Sequence, residues 1–103
     1  MSILSLRAPI AIPVEIRAPA RRVFRLTANV GEDGVRLRRG SSFEPGRPVE
    51  VRFVLPGGGE ALALRAVVAP GDAEDDALDF VDPPSDSRAA LRRYVHDRLG
   101  LPT

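Results

Sequence analysis

Asn29-Val30-Gly31-Glu32-Asp33-Gly34-Val35-Arg36-Leu37-Arg38 is the stretch that decides how this chain reads. Two glycines and two acids sit together in its first half. Apolar and basic residues then alternate in its second half. The first half predicts a turn over Gly31 to Gly34, with Gly34 free to take a positive φ. The second predicts a short strand from Val35 to Arg39, with Val35 and Leu37 facing inward.

The same period of two continues on both sides. Upstream, Ile10, Ile12, Val14 and Ile16 alternate with Ala11, Pro13, Glu15 and Arg17. This is a strand with one apolar face, and Pro13 on the other face predicts an edge position or a bulge. Ala18 to Ala20 reads as a turn. Arg22 to Ala28 reads as the next strand, with Phe24, Leu26 and Ala28 on one side. Downstream, Gly40 to Pro48 is a loop. Val49, Val51, Phe53 and Leu55 form the inward side of a further strand. Pro56 to Gly59 is a hairpin turn, and Leu62, Leu64, Ala66 and Val68 line the strand that follows. Pro70 to Asp76 is an acidic loop, and Leu78 and Phe80 mark a last short strand. Six short strands at this spacing predict an antiparallel barrel or sandwich.

The period changes after Pro83-Pro84. Ser85 or Asp86 can cap a helix running to Leu99, whose stripe of Leu91, Val95 and Leu99, with Tyr94 beside it, packs on the strands. Gly100 and Pro102 end it.

Composition limits the function classes. The 103 residues predict one domain with one core. There is no cysteine and a single histidine, His96, so thiolate chemistry and a multi-histidine metal site are excluded. The aromatic residues are Phe24, Phe43, Phe53, Phe80 and Tyr94, too few outside the predicted core to stack nucleic-acid bases. A net charge of +1 also argues against DNA or RNA. No apolar run approaches the ~18 residues of a membrane span. A soluble, cytoplasmic protein is the expectation.

All fifteen strongly basic residues are arginine, a bias that follows a GC-rich genome. Residues 1–65 hold eleven arginines against six acids, and residues 66–103 hold four against eight. An anion is therefore expected on the N-terminal part. Arg21, Arg22, Arg25, Arg36, Arg38 and Arg39 are expected to gather on neighbouring strands as a surface for an acidic partner or ligand. No nucleophile–base pair is visible, and Ser41 and Ser42 lie in a polar loop. No catalytic residue is assigned. Gly57 to Gly59 precede no helix, so they read as a turn, not a phosphate cradle. Asp72, Glu74, Asp75 and Asp76 lack calcium-loop spacing and read as a solvated loop.

With Arg7 lying 22 positions before Asn29, with hairpins after it and a closing helix, the order of features resembles a PilZ domain. The resemblance runs from about Leu6 to Leu99. It implies a mainly β fold: a six-stranded antiparallel β-barrel with a C-terminal α-helix. It divides the chain into an N-terminal loop (1–8), a barrel (9–82) and a helix (85–99) of one domain over 1–103. The family reads cyclic di-GMP through Arg-x-x-x-Arg before the first strand and Asp/Asn-x-Ser-x-x-Gly before the third. Asn29, Gly31 and Gly34 take the second motif, with Gly31 in place of the serine. Arg7 takes the first, and its partner position holds Ile3. The pairs Arg17/Arg21 and Arg21/Arg25 have the spacing but lie inside the first hairpin. Arg36 or Arg38 can stand in for the missing cation.

The resemblance thus implies a non-enzymatic bacterial signalling adaptor acting through protein contacts, with cyclic di-GMP binding weakened or lost. The alternative is a working cyclic di-GMP receptor. Cyclic di-GMP is the one ligand implied, with no cofactor and no metal. The implied partner is a protein, of the motility or polarity machinery, and a homodimer is compatible with an edge strand or the helix stripe.

Overall fold

The computed structural model describes residues 6–38, 43–57, 59–70 and 76–102. Seven strands and one helix follow in order: β1 (Arg7–Ala8), β2 (Pro13–Ala18), β3 (Arg21–Gly31), β4 (Gly34–Leu37), β5 (Pro48–Phe53), β6 (Leu62–Ala69), β7 (Asp76–Phe80) and α1 (Ser85–Leu99). All pairings are antiparallel. The sheet runs β1-β3-β2-β5-β6-β7-β4, and a further β3–β4 pairing closes it. The result is a closed six-stranded barrel with β1 added as an extra strand. Closure removes the open edges that a six-stranded sheet would otherwise present.

The predicted alternation fills the barrel. Val14 and Ile16, Val35 and Leu37, Val49, Val51 and Phe53, then Leu64, Ala66 and Val68 are all buried in one cluster with Leu78. Phe53 and Phe80 stack with ring centroids 6.4 Å apart. From α1, Leu91 joins this cluster and Tyr94 packs against it.

β3 departs from the reading. Its partners on β4 are Thr27↔Leu37, Asn29↔Arg36 and Val30↔Val35, so the register slips by one residue at Ala28. This is a β-bulge, and it exchanges the two faces of the strand. Before it, Thr27 points in while Phe24 and Leu26 stay 68% and 47% exposed. After it, Val30 points in. The apolar side chosen from alternation, Phe24, Leu26 and Ala28, is therefore the outer side. Thr27, on the opposite side of the strand from Leu26, is fully buried.

Thr27 is buried because it bridges a gap in the neighbouring edge. β1 and β2 both lie along β3, and the chain between them leaves the ladder. The Thr27 hydroxyl donates to the Ile10 carbonyl (2.6 Å) and accepts from the Ile12 amide (2.8 Å). The Thr27 amide donates to the Ile12 carbonyl (3.1 Å).

Four further expectations change. Arg7–Ala8, read as loop, pair with Gly31 and Val30 as β1. Pro13 is neither on an edge strand nor in a bulge. It is the first residue of β2, a strand flanked by β3 and β5, and it lies beyond the β5 pairing, where its missing amide costs no ladder bond. The helix has Pro84 at its N-cap and no side-chain cap, so Ser85 and Asp86 lie inside the first turn. Leu99 is exposed, so the buried stripe consists of Leu91 and Val95. The C-terminus follows the reading. Gly100 takes φ 71°, its amide donates to the Asp97 carbonyl, and the Leu101 amide donates to that of His96. That pattern is a Schellman stop.

Candidate functional site at the β1–β3–β4 corner

The bulge builds this site. Without it, Thr27 and Asn29 would share the inner face, because side chains two apart in a strand point the same way. The one-residue slip sends Asn29 outward, opposite Arg36 on β4. There it meets Arg7, which β1 delivers by pairing with Gly31. Arg7 Nη1 donates to Asn29 Oδ1 at 2.9 Å. Arg7 Nη2 donates to Asp33 Oδ1 at 3.2 Å, and the two form an ion pair.

The two glycines of the turn serve different needs. Gly34 was read as free to take a positive φ, and it is not among the positive-φ glycines. It is required by close approach instead: a Cβ there would fall on the Leu78 carbonyl oxygen of β7 and within 3.3 Å of Asp79 Cα. Gly31 carries the floor of the site. A Cβ on it would meet the Leu6 carbonyl oxygen at 3.0 Å, Asp33 Oδ1 at 3.0 Å and the Arg7 Cγ at 3.1 Å.

The turn between them, Glu32-Asp33, is tied from three sides. The Phe80 amide donates to the Asp33 carbonyl at 2.9 Å. The Asp33 carboxylate faces Arg7. The Glu32 carboxylate accepts from Arg92 through both oxygens, with Nε–Oε2 and Nη2–Oε1 at 3.0 Å, and from Arg88 Nη2 at 3.4 Å. This fork-to-carboxylate pairing is the geometrically specific kind. The Arg92 hydrogen bond holds the Glu32 carboxyl below its usual pKa against the opposing effect of burial, and the charges of Arg92 and Arg88 add to it. The corner is thereby joined to α1, which also packs near β1 and β3.

Sequence reasoning missed Glu32, Asp33, Arg88 and Arg92. The signal was present: adjacent acids at a turn tip, and arginines at i and i+4 on one helix face.

The predicted arginine surface is divided. Strand alternation sends Arg21 and Arg25 to one side of β3 and Arg22 to the other. The Arg21 guanidinium lies over the Phe43 ring, 5.4 Å from its centroid, a cation–π contact. Arg22 Nε lies 3.4 Å and Arg17 Nε 3.2 Å from Glu15 Oε2. Arg36 is exposed on the outer face, and Arg38 is exposed where its amide donates to the Leu26 carbonyl. Ile3, Arg39, Ser41, Ser42, Gly58, Asp72, Glu74 and Asp75 lie outside the described residues. Asp76, read as part of a solvated loop, is buried in β7. The Tyr94 hydroxyl is buried with no hydrogen-bond partner among the described residues, and burial raises its pKa, with Arg98 acting the other way. Among the described residues no group of three or more His, Cys, Asp or Glu could hold a metal, and no helix is long and apolar enough to cross a membrane.

The fold has solved relatives. The Bacillus subtilis inhibitor of motility MotI/DgrA superposes with a TM-score of 0.80 at 20% identity over 96% of this chain. This chain spans about half of that protein, 52% of its length. The PilZ domain of CeSA from a cellulose-synthesizing bacterium superposes with a TM-score of 0.66 at 20% identity, covering 91% of this chain and 95% of that one. No curated protein matches the sequence. A family model described as PilZ domain matches residues 4–97. Since that match runs from the approach to β1 into the last turns of α1, and the barrel it implies is the one observed, the chain belongs to the PilZ domain family.

Proposed function

We propose that this domain, one PilZ unit over residues 1–103, is a non-enzymatic cytoplasmic signalling adaptor that acts through protein contacts, with weakened binding of cyclic di-GMP. The observation that carries this reading is the floor at Gly31. The family's serine hydroxyl is absent there, and the Leu6 carbonyl and the Arg7 stem crowd the space a side chain would take. Ile3 stands where a second ligand arginine belongs by resemblance. A lost hydrogen bond to a charged group costs about 1.5–3 kcal/mol. Each ~1.4 kcal/mol is tenfold in affinity, so the two changes together weaken binding about a hundredfold or more.

The outer wall at Phe24 and Leu26, flanked by Arg22 and Arg38, is the surface we assign to the protein partner. Its exposed apolar centre and basic flanks suit a partner that presents apolar and acidic side chains together. The likeness to the inhibitor of motility favours a partner in the motility apparatus.

A working receptor is the second reading. It is favoured by the meeting of Arg7 and Asn29, two ligand positions by resemblance, at 2.9 Å on the outer face. Calorimetric titration with cyclic di-GMP separates the two readings. The adaptor reading expects no saturation below high micromolar ligand. Sub-micromolar binding that Arg7→Ala abolishes would replace it with the receptor reading.

A further inference from the structure

The Arg7 guanidinium already carries an anion. Its Nη2 donates to the Asp33 carboxylate at 3.2 Å, while Nη1 is held by Asn29 at 2.9 Å. Both bidentate edges of a guanidinium use Nη2, so a phosphate that forks onto Arg7 must share that nitrogen with Asp33 or displace it. Asp33 is well placed to compete. Its side chain is short, its carbonyl is fixed to β7 by the Phe80 amide at 2.9 Å, and it sits one residue from Gly34, which pairs with Asp79 of β7. A carboxylate tethered this closely acts at an effective concentration in the millimolar range or above, against micromolar free ligand. Both partners remain open to solvent, with side chains 28% and 51% exposed, so the pair is displaceable.

The geometry points to Asp33 as an internal anion that sets the affinity of the Arg7 corner for a phosphodiester. It fills the cation in the free domain and repels a second negative charge. Weak nucleotide binding then arises from a residue present in the turn as well as from groups that are missing. This inference rests on the proposed weak-binding reading and extends it.

The test is a titration of cyclic di-GMP into the wild-type chain, Asp33→Asn and the double variant Asp33→Asn/Arg7→Ala. It is followed by amide chemical shifts up to millimolar ligand, so that weak binding is measured. Asn keeps the size and the turn preference of Asp and removes the charge. Circular dichroism confirms that each variant is folded. The expected result is about a two- to fivefold gain in affinity for Asp33→Asn, the range for removing one exposed ionic competitor, and loss of that gain in the double variant. Equal or weaker binding by Asp33→Asn overturns the inference, as does an absence of shifts in both single chains. So does a gain that persists without Arg7. The wild-type affinity judges the weak-binding reading separately: tight wild-type binding removes that reading, whatever Asp33→Asn does.

Discussion

The two halves of β3 are one continuous strand under opposite constraints. Arg21–Leu26 pairs with β2 and turns Phe24 and Leu26 to solvent. Beyond the bulge, Asn29–Gly31 lies between β1, which pairs with Val30 and Gly31, and β4, which pairs with Asn29 and Val30, and Val30 and Gly31 are buried. The first half has an open outer wall that tolerates change. The second half has almost no spare volume, and it carries Asn29. The lesson is that the corner is rigid because barrel closure runs through it. Four measurements can break or sharpen this contrast.

The largest effect is expected at Gly34. Gly34→Ala places a methyl on the backbone carbonyl of Leu78, so β4 and β7 must separate. A loss of about 3 kcal/mol or more in urea unfolding is expected, the upper end for overpacking. Gly31→Ala meets the Asp33 carboxylate, the Leu6 carbonyl and the Arg7 stem at longer range, and should cost about 1 kcal/mol. If Gly34→Ala is the milder of the two, the closed seam is not the limiting constraint.

Thr27→Val comes next. It keeps the shape and removes the hydroxyl that serves Ile10 and Ile12. Stranding those backbone groups should cost about 2 kcal/mol. Hydrogen exchange at Ile12 should accelerate with it. A neutral substitution would mean that the gap between β1 and β2 is closed by other contacts.

The third effect depends on pH. The Glu32 carboxyl is held below its usual pKa, mainly by the Arg92 hydrogen bond. Its contribution is therefore complete above the unfolded-state value and is lost as pH falls through the lower folded value. Wild type should lose thermal stability across that acidic window more steeply than Glu32→Gln. Parallel curves would show that the link between the turn and α1 adds nothing.

Phe24→Ser should have the smallest effect on stability, within about 0.5 kcal/mol, as for surface changes. Under the proposed adaptor reading its effect should appear instead as weaker binding of the protein partner. A large loss of stability would show that the first half of β3 is not the open wall described.

Much of the barrel was legible because period-two alternation and a closed core are the same fact seen twice. Val35 and Leu37, or Val49, Val51 and Phe53, can only face inward. β3 defeated the reading for a definite reason. A bulge leaves no mark in alternation except an apparent error of phase, and Phe24 with Leu26 is the more apolar face by composition. The site was legible only as residue types. Arg7, Asn29 and Gly34 could be picked out by resemblance, but the contact of Arg7 with Asp33 and that of Glu32 with α1 depend on chain crossings 26 and 60 residues apart.

By itself the sequence determined an antiparallel barrel or sandwich of short strands and a closing helix that ends at Leu99. Short-range patterns carry both: alternation, Gly and Pro punctuation, and a change of period. Only the tertiary structure decided that Asn29 faces outward, that Gly34 is a glycine for lack of space, and that Arg7 is already held by Asp33. Each of these depends on register, on the approach of a second strand, or on a charge delivered by a distant turn. Those quantities are set by how the barrel closes, and local preference does not encode them.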